Sequence, residues 1–347
     1  MEHLQHQIIE ELEFLKAFSK IGLESLFSLK GLRIYASSRE DLARDYLDEI
    51  YIEFNSTLDG YLFEVYEPRQ VEEKKKVIAL DTSSVRLAES SNGVIISIKG
   101  AIVVRDIDNS ISIQTLGPFL FYVNKINFKY ILREYSELIQ YSSRYDFYLN
   151  AQRALTELLE RRMQEYIVEK SKDSIILFDG CLVANNFNHY KNLLEKILRI
   201  AQENRNIIIA FSKTSFIQVS GAYLQSIHIE EEPPYIIDLT TTLKHYCNYE
   251  VRTLGRICLA RLSAGSLGYR VDVPIKSDIP TFFGLLLKSD PLIYGYPETL
   301  ILAHDYSTFT RLDIITLQTM LKKMDVELLY PEYVRDILFQ PVDGDYR

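Results

Sequence analysis

The chain has 347 residues, of which 47% are hydrophobic and 25% are charged. This length and balance allow a large buried core, and they exclude disorder, collagen and coiled coil as descriptions of the whole chain. The formal net charge of -9 excludes a surface that is basic throughout, although a local basic groove for nucleic acid is compatible with it.

Location and redox chemistry follow from the same composition. No apolar run approaches the roughly 20 residues that cross a bilayer, and residues 1–6 lack the basic and apolar regions of a secretory signal. We therefore expect a cytoplasmic protein without a membrane segment. The cysteines show no CxxC spacing and the histidines no HxxxH or HxH pair, so we expect any metal to be held mainly by oxygen ligands.

The first 75 residues are predicted to form a helical extension. Apolar residues spaced by three and four, from Leu4 to Phe18, predict a helix over 2–29. Its apolar face packs either on the protein's own core or on a partner. Ser37 and Ser38 followed by Glu40 are typical of a cap that opens a second helix through about Ile52.

A second region, 76–325, changes to a β pattern. The predicted order is three strands, a helix, a strand, a helix and a strand, over 77–81, 93–105, 111–123, 125–170, 174–179, 190–203 and 206–211. This order without early crossover helices favours a ribonuclease H-like mixed α/β sheet flanked by helices. Further elements are expected over 269–274 (strand), 278–288 (helix), 299–303 (strand) and 307–324 (helix), and residues 326–347 are predicted to be a tail.

Two of the apolar strands end on an aspartate, Asp81 and Asp179. Open α/β sheets keep their sites at the carboxyl ends of their strands. If the two strands are neighbours, the carboxylates converge and repel each other, and a divalent cation would hold them together. The alternative is that each aspartate only starts a turn or caps a helix.

A two-metal phosphodiester site would need a third carboxylate. The helix over 152–169, which precedes the second aspartate strand, offers Glu157, Glu160, Glu165 and Glu169. Glutamates on a charged helix more often face solvent. His304, placed at the end of the predicted strand 299–303, could ligate metal, orient a phosphate or transfer a proton. Tyr296 could hydrogen-bond a phosphate, stack on a base or pack in the core.

Three segments resemble the motifs of the NurA nucleases. Residues 80–84 (LDTSS) resemble the first motif, D-G-S-S, and residues 178–182 (FDGCL) resemble the second, D-G-S-L. The stretch from Tyr296-Pro297 to Ala303-His304 resembles the closing Y-P…A-H block. The order and spacing match across residues 77–320. Thr82 and Cys181 depart from the motifs, which leaves a variant with weakened or lost cleavage open.

The resemblance implies a ribonuclease H-like fold, a ring-like homodimer, and manganese-dependent single-strand endonuclease and 5′–3′ exonuclease activity, with magnesium as a possible substitute. It also implies work on DNA ends with a hexameric HerA-type ATPase in end resection and double-strand break repair. Carried over by position, the metal ligands and catalytic residues are Asp81, Asp179, His304, Tyr296 and a glutamate, with Glu157 the first choice and Glu160 the second. Lys213 would contact DNA phosphate. Other candidate DNA contacts are Lys125, Lys129, Arg133, Arg153, Arg161, Arg162 and Arg270.

Two alternatives remain open at this point. One is a non-catalytic partner of a DNA-translocating ATPase with the same fold. The other is an actin-like ATP-binding enzyme, in which residues 80–84 would form a phosphate turn and residues 263–268 (SAGSLG) an adenosine loop. A glycine loop of this kind is weak support by itself, and this alternative leaves the segment 296–305 unexplained.

Overall fold

The computed structural model describes most of the chain. The described residues are 13–36, 52–54, 64–90, 92–131, 147–182, 191–213, 215, 217–219, 222–223, 231–246 and 254–329. The predicted second helix lies outside them, except for its last residue, Ile52. The part of the predicted tail beyond residue 329 also lies outside them.

The described part of the chain contains sixteen strands and eight α-helices. The strands are β1 Arg33–Ala36, β2 Ile52–Phe54, β3 Glu64–Tyr66, β4 Val77–Ser90, β5 Gly93–Arg105, β6 Ile111–Val123, β7 Ile175–Asp179, β8 Ile207–Ser212, β9 Ile217–Val219, β10 Ala222–Tyr223, β11 Tyr235–Asp238, β12 Gly255–Arg261, β13 Tyr269–Pro274, β14 Leu292–Ile293, β15 Tyr296–Pro297 and β16 Glu327–Leu329. The helices are α1 Glu13–Leu26, α2 Phe128–Ile131, α3 Phe147–Lys170, α4 Lys191–Glu203, α5 Thr240–Tyr246, α6 Ile279–Ser289, α7 Glu298–Ser307 and α8 Arg311–Lys323.

One large mixed sheet organises these elements. Strands β4, β5 and β6 form an antiparallel meander, as the sequence predicts. Strands β7 and β8 then add in parallel beside β4, giving the order β6-β5-β4-β7-β8. This is the ribonuclease H-like arrangement that was predicted. Antiparallel strands β13, β12, β11 and β3 extend the sheet beyond β8.

Strand β4 is longer than the apolar run 77–81 indicates, because it continues to Ser90. Its first half pairs with β7 as far as Leu80, opposite Phe178, whereas Ala88 and Glu89 pair with β1. Asp81 therefore lies inside the strand, not at its end. It directly follows the last residue that pairs with β7, so its side chain still lies at the carboxyl end of the parallel strands β4 and β7.

Side chains alternate across the sheet and fill two cores. On one face, Ile78 and Ile176 pack in a cluster with Leu155 from α3 and Ile197 from α4. On the other face, the neighbouring residues of the same strands pack against α6 and α7, in a cluster that includes Val77, Ala79, Ile175, Leu177, Phe283, Leu300 and Ala303. Residues 81 and 179 follow the parity of this second face, the face that α7 covers.

Two predictions about helices need correction or refinement. Residues 2–12 of the predicted first helix lie outside the described residues. The described end of its apolar stripe packs on the protein's own sheet, because Leu15 and Phe18 are buried and the centroid of the Phe18 ring lies 4.6 Å from that of Phe121. The predicted strand 299–303 is wrong, because these residues belong to α7. The buried residues of α7 are spaced by about one helical turn, and they follow Pro297 and Glu298 at the helix start. The short apolar run fits a strand as well as a helix, so the sequence alone does not distinguish the two.

The predicted helix over 278–288 is observed as α6, and the side chain of Asp278 caps it by accepting a hydrogen bond from the N–H of Thr281. No helix in the described part of the chain combines the length and apolar character needed to cross a bilayer. The proposed boundaries at residues 75 and 325 stay predictions. Around them, β1 and β16 pair with each other and β1 joins β4, so residues on both sides of the boundaries contribute to one sheet.

Candidate metal centre

Two aspartates and a histidine converge above the edge of the sheet. Asp81 on β4 and Asp179 at the end of β7 point to the same face, and α7 places His304 over them. Each offers one possible ligand atom, and these atoms lie within 4.8 Å of one another. The side chains of Asp81 and Asp179 are 12% and 14% exposed, whereas that of His304 is 41% exposed. The cluster is therefore two buried carboxylates under a partly open imidazole.

The distances fit a divalent cation. The Nδ1 atom of His304 lies 2.9 Å from Oδ2 of Asp81 and 4.0 Å from Oδ2 of Asp179. Two atoms bound to the same ion at about 2.1 Å lie at most about 4.2 Å apart. Both distances are within that limit, so His304 could share an ion with either aspartate, and the three residues form a group that could hold a metal ion. The convergence of Asp81 and Asp179, expected from the sequence, is confirmed.

The carboxylate of Asp81 is held by further donors. Its Oδ1 accepts a hydrogen bond of 2.8 Å from the backbone N–H of Thr82, and its Oδ2 accepts one of 2.8 Å from the hydroxyl of Ser307. Ser307 is fully buried at the end of α7. No motif or strand-end pattern in the sequence marks this residue, although its position three after His304 puts both side chains on one face of a helix.

Asp179 is fixed by the turn that follows it and by a lysine. Gly180 has a φ of 118°, a left-handed conformation that favours glycine, and its N–H donates to the Phe211 carbonyl at 2.7 Å. The Lys213 ammonium lies 2.5 Å from Oδ2 of Asp179. Lys213 was predicted to contact DNA phosphate, and the structure places it directly at the carboxylate pair.

The electrostatics of this cluster favour a positive partner. Burial, reinforced by the charge of Asp81, raises the pKa of Asp179 to about 6. Burial also raises the pKa of Glu160 to about 7, and the two aspartates contribute to that shift. The hydrogen bond to Asp81 raises the pKa of His304. Each carboxyl shift reflects the cost of an anion in a buried, already negative place, which a cation would relieve.

The two candidate glutamates occupy different positions. The charges of both aspartates act on Glu160, whose carboxylate also accepts a hydrogen bond of 2.8 Å from Gln164. Glu157 lies 3.7 Å from Arg161 and is 36% exposed, against 22% for Glu160. Neither belongs to the group of ligand atoms within 4.8 Å. Arg161 lies 3.7 Å from both glutamates, and the effect of the two aspartates on Glu160 keeps this second choice from the sequence as a candidate alongside Glu157.

Tyr296 packs beside the site. Its ring is buried, with centroids 5.5 Å from Phe211 and 5.1 Å from Tyr269, so a base cannot stack on it. Its buried hydroxyl makes no hydrogen bond of normal geometry with a described residue. Burial raises the pKa of this hydroxyl, and Asp179 adds to the effect. The hydroxyl therefore lies close enough to the Asp179 carboxylate to interact with it, without a hydrogen bond of normal geometry.

Arg270, a candidate DNA contact from the sequence, is instead structural. It is 2% exposed and donates two hydrogen bonds of 3.0 Å to the buried carboxylate of Asp272. Asp272 in turn accepts a hydrogen bond of 3.0 Å from the N–H of Leu182, three residues after Asp179. The pair therefore supports the turn that carries the second aspartate, and it is inaccessible to DNA.

No protein-family model and no curated protein matches the chain, whereas several solved structures do. The NurA nuclease from Sulfolobus solfataricus is 19% identical, with 76% of this chain and 89% of that chain covered and a TM-score of 0.40. An endonuclease V from Bacillus subtilis is 13% identical, with 75% and 88% covered and a TM-score of 0.38. The catalytic domain of human endonuclease V is 12% identical, with 74% and 91% covered and a TM-score of 0.36.

The first of these structures belongs to the family whose motifs the sequence resembles. Such identities and TM-scores limit the likeness to the fold, so the function has to follow from the site.

Proposed function

We propose that this protein is a metal-dependent nuclease that hydrolyses DNA phosphodiester bonds. The observation that carries the proposal is the convergence of Asp81, Asp179 and His304, with ligand atoms within 4.8 Å of one another. Buried carboxylates that repel each other are retained where they bind a cation. The three motifs that resemble the NurA nucleases contain these same three residues, which supports DNA as the substrate.

The residues take distinct roles in this proposal. Asp81 and Asp179 supply oxygen ligands, and Glu160 adds negative charge at the same rim. A bound divalent ion, manganese or magnesium, would activate a water molecule and stabilise charge on the scissile phosphate. His304 completes the ligand set or carries a proton, because its ring is oriented by the bond from Nδ1 to Asp81 and is the most exposed of the three.

Two further residues would act on the substrate side. Lys213 holds its ammonium at Asp179 and would meet a phosphate that approaches the metal, which supports its assignment as a DNA contact. The buried Tyr296 hydroxyl would hydrogen-bond a group bound at the carboxylates, whereas its ring serves only packing. Glu157 stays a candidate alongside Glu160.

The finer assignment rests on the motif resemblance. It comprises single-strand endonuclease and 5′–3′ exonuclease activity, a ring-like homodimer, DNA ends as substrate, and a HerA-type hexameric ATPase as partner in end resection. It includes the preference for manganese. We further propose a cytoplasmic location. A ring would let a chain with a net charge of -9 present its cations on an inner surface.

The test is cleavage of end-labelled single-stranded and duplex DNA by purified protein with manganese, magnesium or chelator. We expect cutting with manganese, none with chelator, and none for Asp81→Ala or Asp179→Ala. The matched control is Asp305→Asn, which neutralises an exposed carboxylate one residue from His304 and should leave cutting unchanged. A wild-type protein that folds, binds an ATPase partner and never cuts would favour the regulatory alternative. Nucleotide binding without cleavage would favour the ATP-binding alternative.

A further inference from the structure

The hydroxyl of Ser307 lies against one oxygen of the Asp81 carboxylate, Oδ2. It donates to Oδ2 at 2.8 Å, the same atom that lies 2.9 Å from Nδ1 of His304. Ser307 is fully buried, and Asp81 is only 9% exposed, so water cannot readily replace this donor. One turn of α7 thus places two side chains, from residues 304 and 307, on a single carboxylate oxygen.

The backbone of Ser307 is tied to the same strand. Its carbonyl accepts a hydrogen bond of 2.5 Å from the hydroxyl of Ser83, two residues after Asp81 on β4. Residues two apart on a strand project from the same face, so Asp81 and Ser83 both hydrogen-bond to the last residue of α7. The position of the Ser307 hydroxyl relative to Asp81 is therefore set from both sides of the contact.

We propose that Ser307 is a positioning residue of the metal centre, which orients the Asp81 carboxylate for ion binding. This inference rests on the proposed function, since it assigns Asp81 to a divalent ion. A carboxylate ligand needs one orientation to bind with full strength, and an outer donor that restrains it contributes about 10- to 100-fold in metal affinity. Ser83 supports the arrangement by holding the helix end.

A merely structural role offers a different account of Ser307. Its hydroxyl also lies 3.0 Å from the carbonyl of His304, a bond that would only close the last turn of α7. The next residue, Thr308, provides a matched control because its hydroxyl donates to the same carbonyl at 2.8 Å and is exposed. Removing either hydroxyl costs a bond at the helix end, but only Ser307 touches Asp81.

The test measures manganese binding by calorimetry without DNA, for the wild-type protein, Ser307→Ala and Thr308→Val. At a temperature at which every variant is folded in chelator, we expect Ser307→Ala to weaken the Kd for manganese about 10- to 100-fold and Thr308→Val to bind within about twofold of the wild type. An unchanged Kd in Ser307→Ala, or equal losses in both variants, would overturn the proposal.

The two proposals fail in distinguishable ways. If the wild-type protein binds no manganese and cuts no DNA, the proposed function fails and the role of Ser307 falls with it. If the wild-type protein binds manganese and cuts, but Ser307→Ala binds equally well, only the positioning role is overturned.

Discussion

The surroundings of Asp179 disfavour its negative charge. It is buried, faces Asp81, and has a pKa raised to about 6, while Lys213 offsets part of the repulsion. A group under such strain is common at functional sites, where charge is arranged for a ligand instead of for stability.

The first prediction concerns the variant Asp179→Asn. We expect it to abolish DNA cleavage, because the amide keeps the shape of the side chain but supplies a poor metal ligand. Its melting temperature at pH 7.5 without divalent ions should equal or exceed that of the wild type, because one of two repelling charges is removed. Cleavage and thermal unfolding are measured on the same preparation. A variant that cuts at the wild-type rate would remove Asp179 from the site.

The second prediction concerns pH. Glu160 and Asp179 have higher pKa values in the folded protein, about 7 and about 6, than the ordinary 4.5 and 3.8. The folded state therefore binds these protons more tightly, so stability is present at low pH and is lost as the pH rises through the folded values. The raised pKa of His304 acts with the same sign, because its stabilising charge disappears as the ring deprotonates.

We therefore expect the melting temperature in chelator to fall between pH 5 and pH 8 by several degrees, since a tenfold change in proton affinity is worth about 1.4 kcal/mol. Glu160→Gln should flatten this fall. Saturating manganese should oppose it, because the ion favours the deprotonated carboxylates. Identical profiles for the wild type and Glu160→Gln would show that Glu160 does not titrate in this range.

At the scale of elements, helix α7 links the site to a buried ion network. Arg105 on β5 donates a hydrogen bond of 2.9 Å to Asp290 and also pairs with Glu298, the first residue of α7. The other oxygen of Asp290 accepts hydrogen bonds from the backbone and the hydroxyl of Thr299. The start of α7 is anchored here, two turns before His304.

The third prediction is that Arg105→Met destabilises the protein by about 3–5 kcal/mol, because it leaves Asp290 buried without its cation. Cleavage should fall as well, since α7 loses its anchor. The matched control is Arg33→Met, which breaks the Arg33–Glu327 pair, whose side chains are 74% and 55% exposed. It should cost less than about 1 kcal/mol. Urea unfolding that gives equal losses would contradict a structural role for the buried network.

The sequence predicts the order of elements better than their ends. The meander and both parallel strands are predicted because their apolar runs are long and bounded by turns. The extent of β4 beyond Asp81 is missed, since residues 82–90 mix polar and apolar positions that only pairing with β5 and β1 makes regular. His304 is placed correctly at the site but on a strand instead of a helix, because the four apolar residues 300–303 fit either period.

The site itself divides in the same way. Asp81 and Asp179 are predictable because each follows an apolar run, and His304 is predictable because it lies in a segment that resembles a family motif. Ser307 is not, because its role depends on a contact between residues 226 positions apart. The burial of Arg270 depends likewise on the packing of β13 against β8, which no local pattern reveals.

At the scale of the molecule, the net charge of -9 repels DNA at long range. Binding must therefore depend on local cations near the site. The fourth prediction is that Lys213→Gln weakens single-stranded DNA binding and reduces the magnitude of the slope of log affinity against log salt by about 0.7, the loss of one phosphate contact. Fluorescence anisotropy in chelator measures this without cleavage.

The control for Lys213→Gln is Lys20→Gln on α1, a lysine 76% exposed that pairs with Glu24 at 3.9 Å. It should change neither the affinity nor the slope. If Lys213→Gln keeps the wild-type slope, the lysine serves only to balance Asp179.

The location of the ion decides whether these side chains form one working centre. Crystals of the wild-type protein grown with manganese, and measured at the manganese absorption edge, would show where the ion binds. We expect an anomalous peak within bonding distance of Asp81, Asp179 and His304, and its loss in crystals of Asp179→Asn. A peak elsewhere, or none at this cluster under conditions in which the protein cuts DNA, would contradict the account.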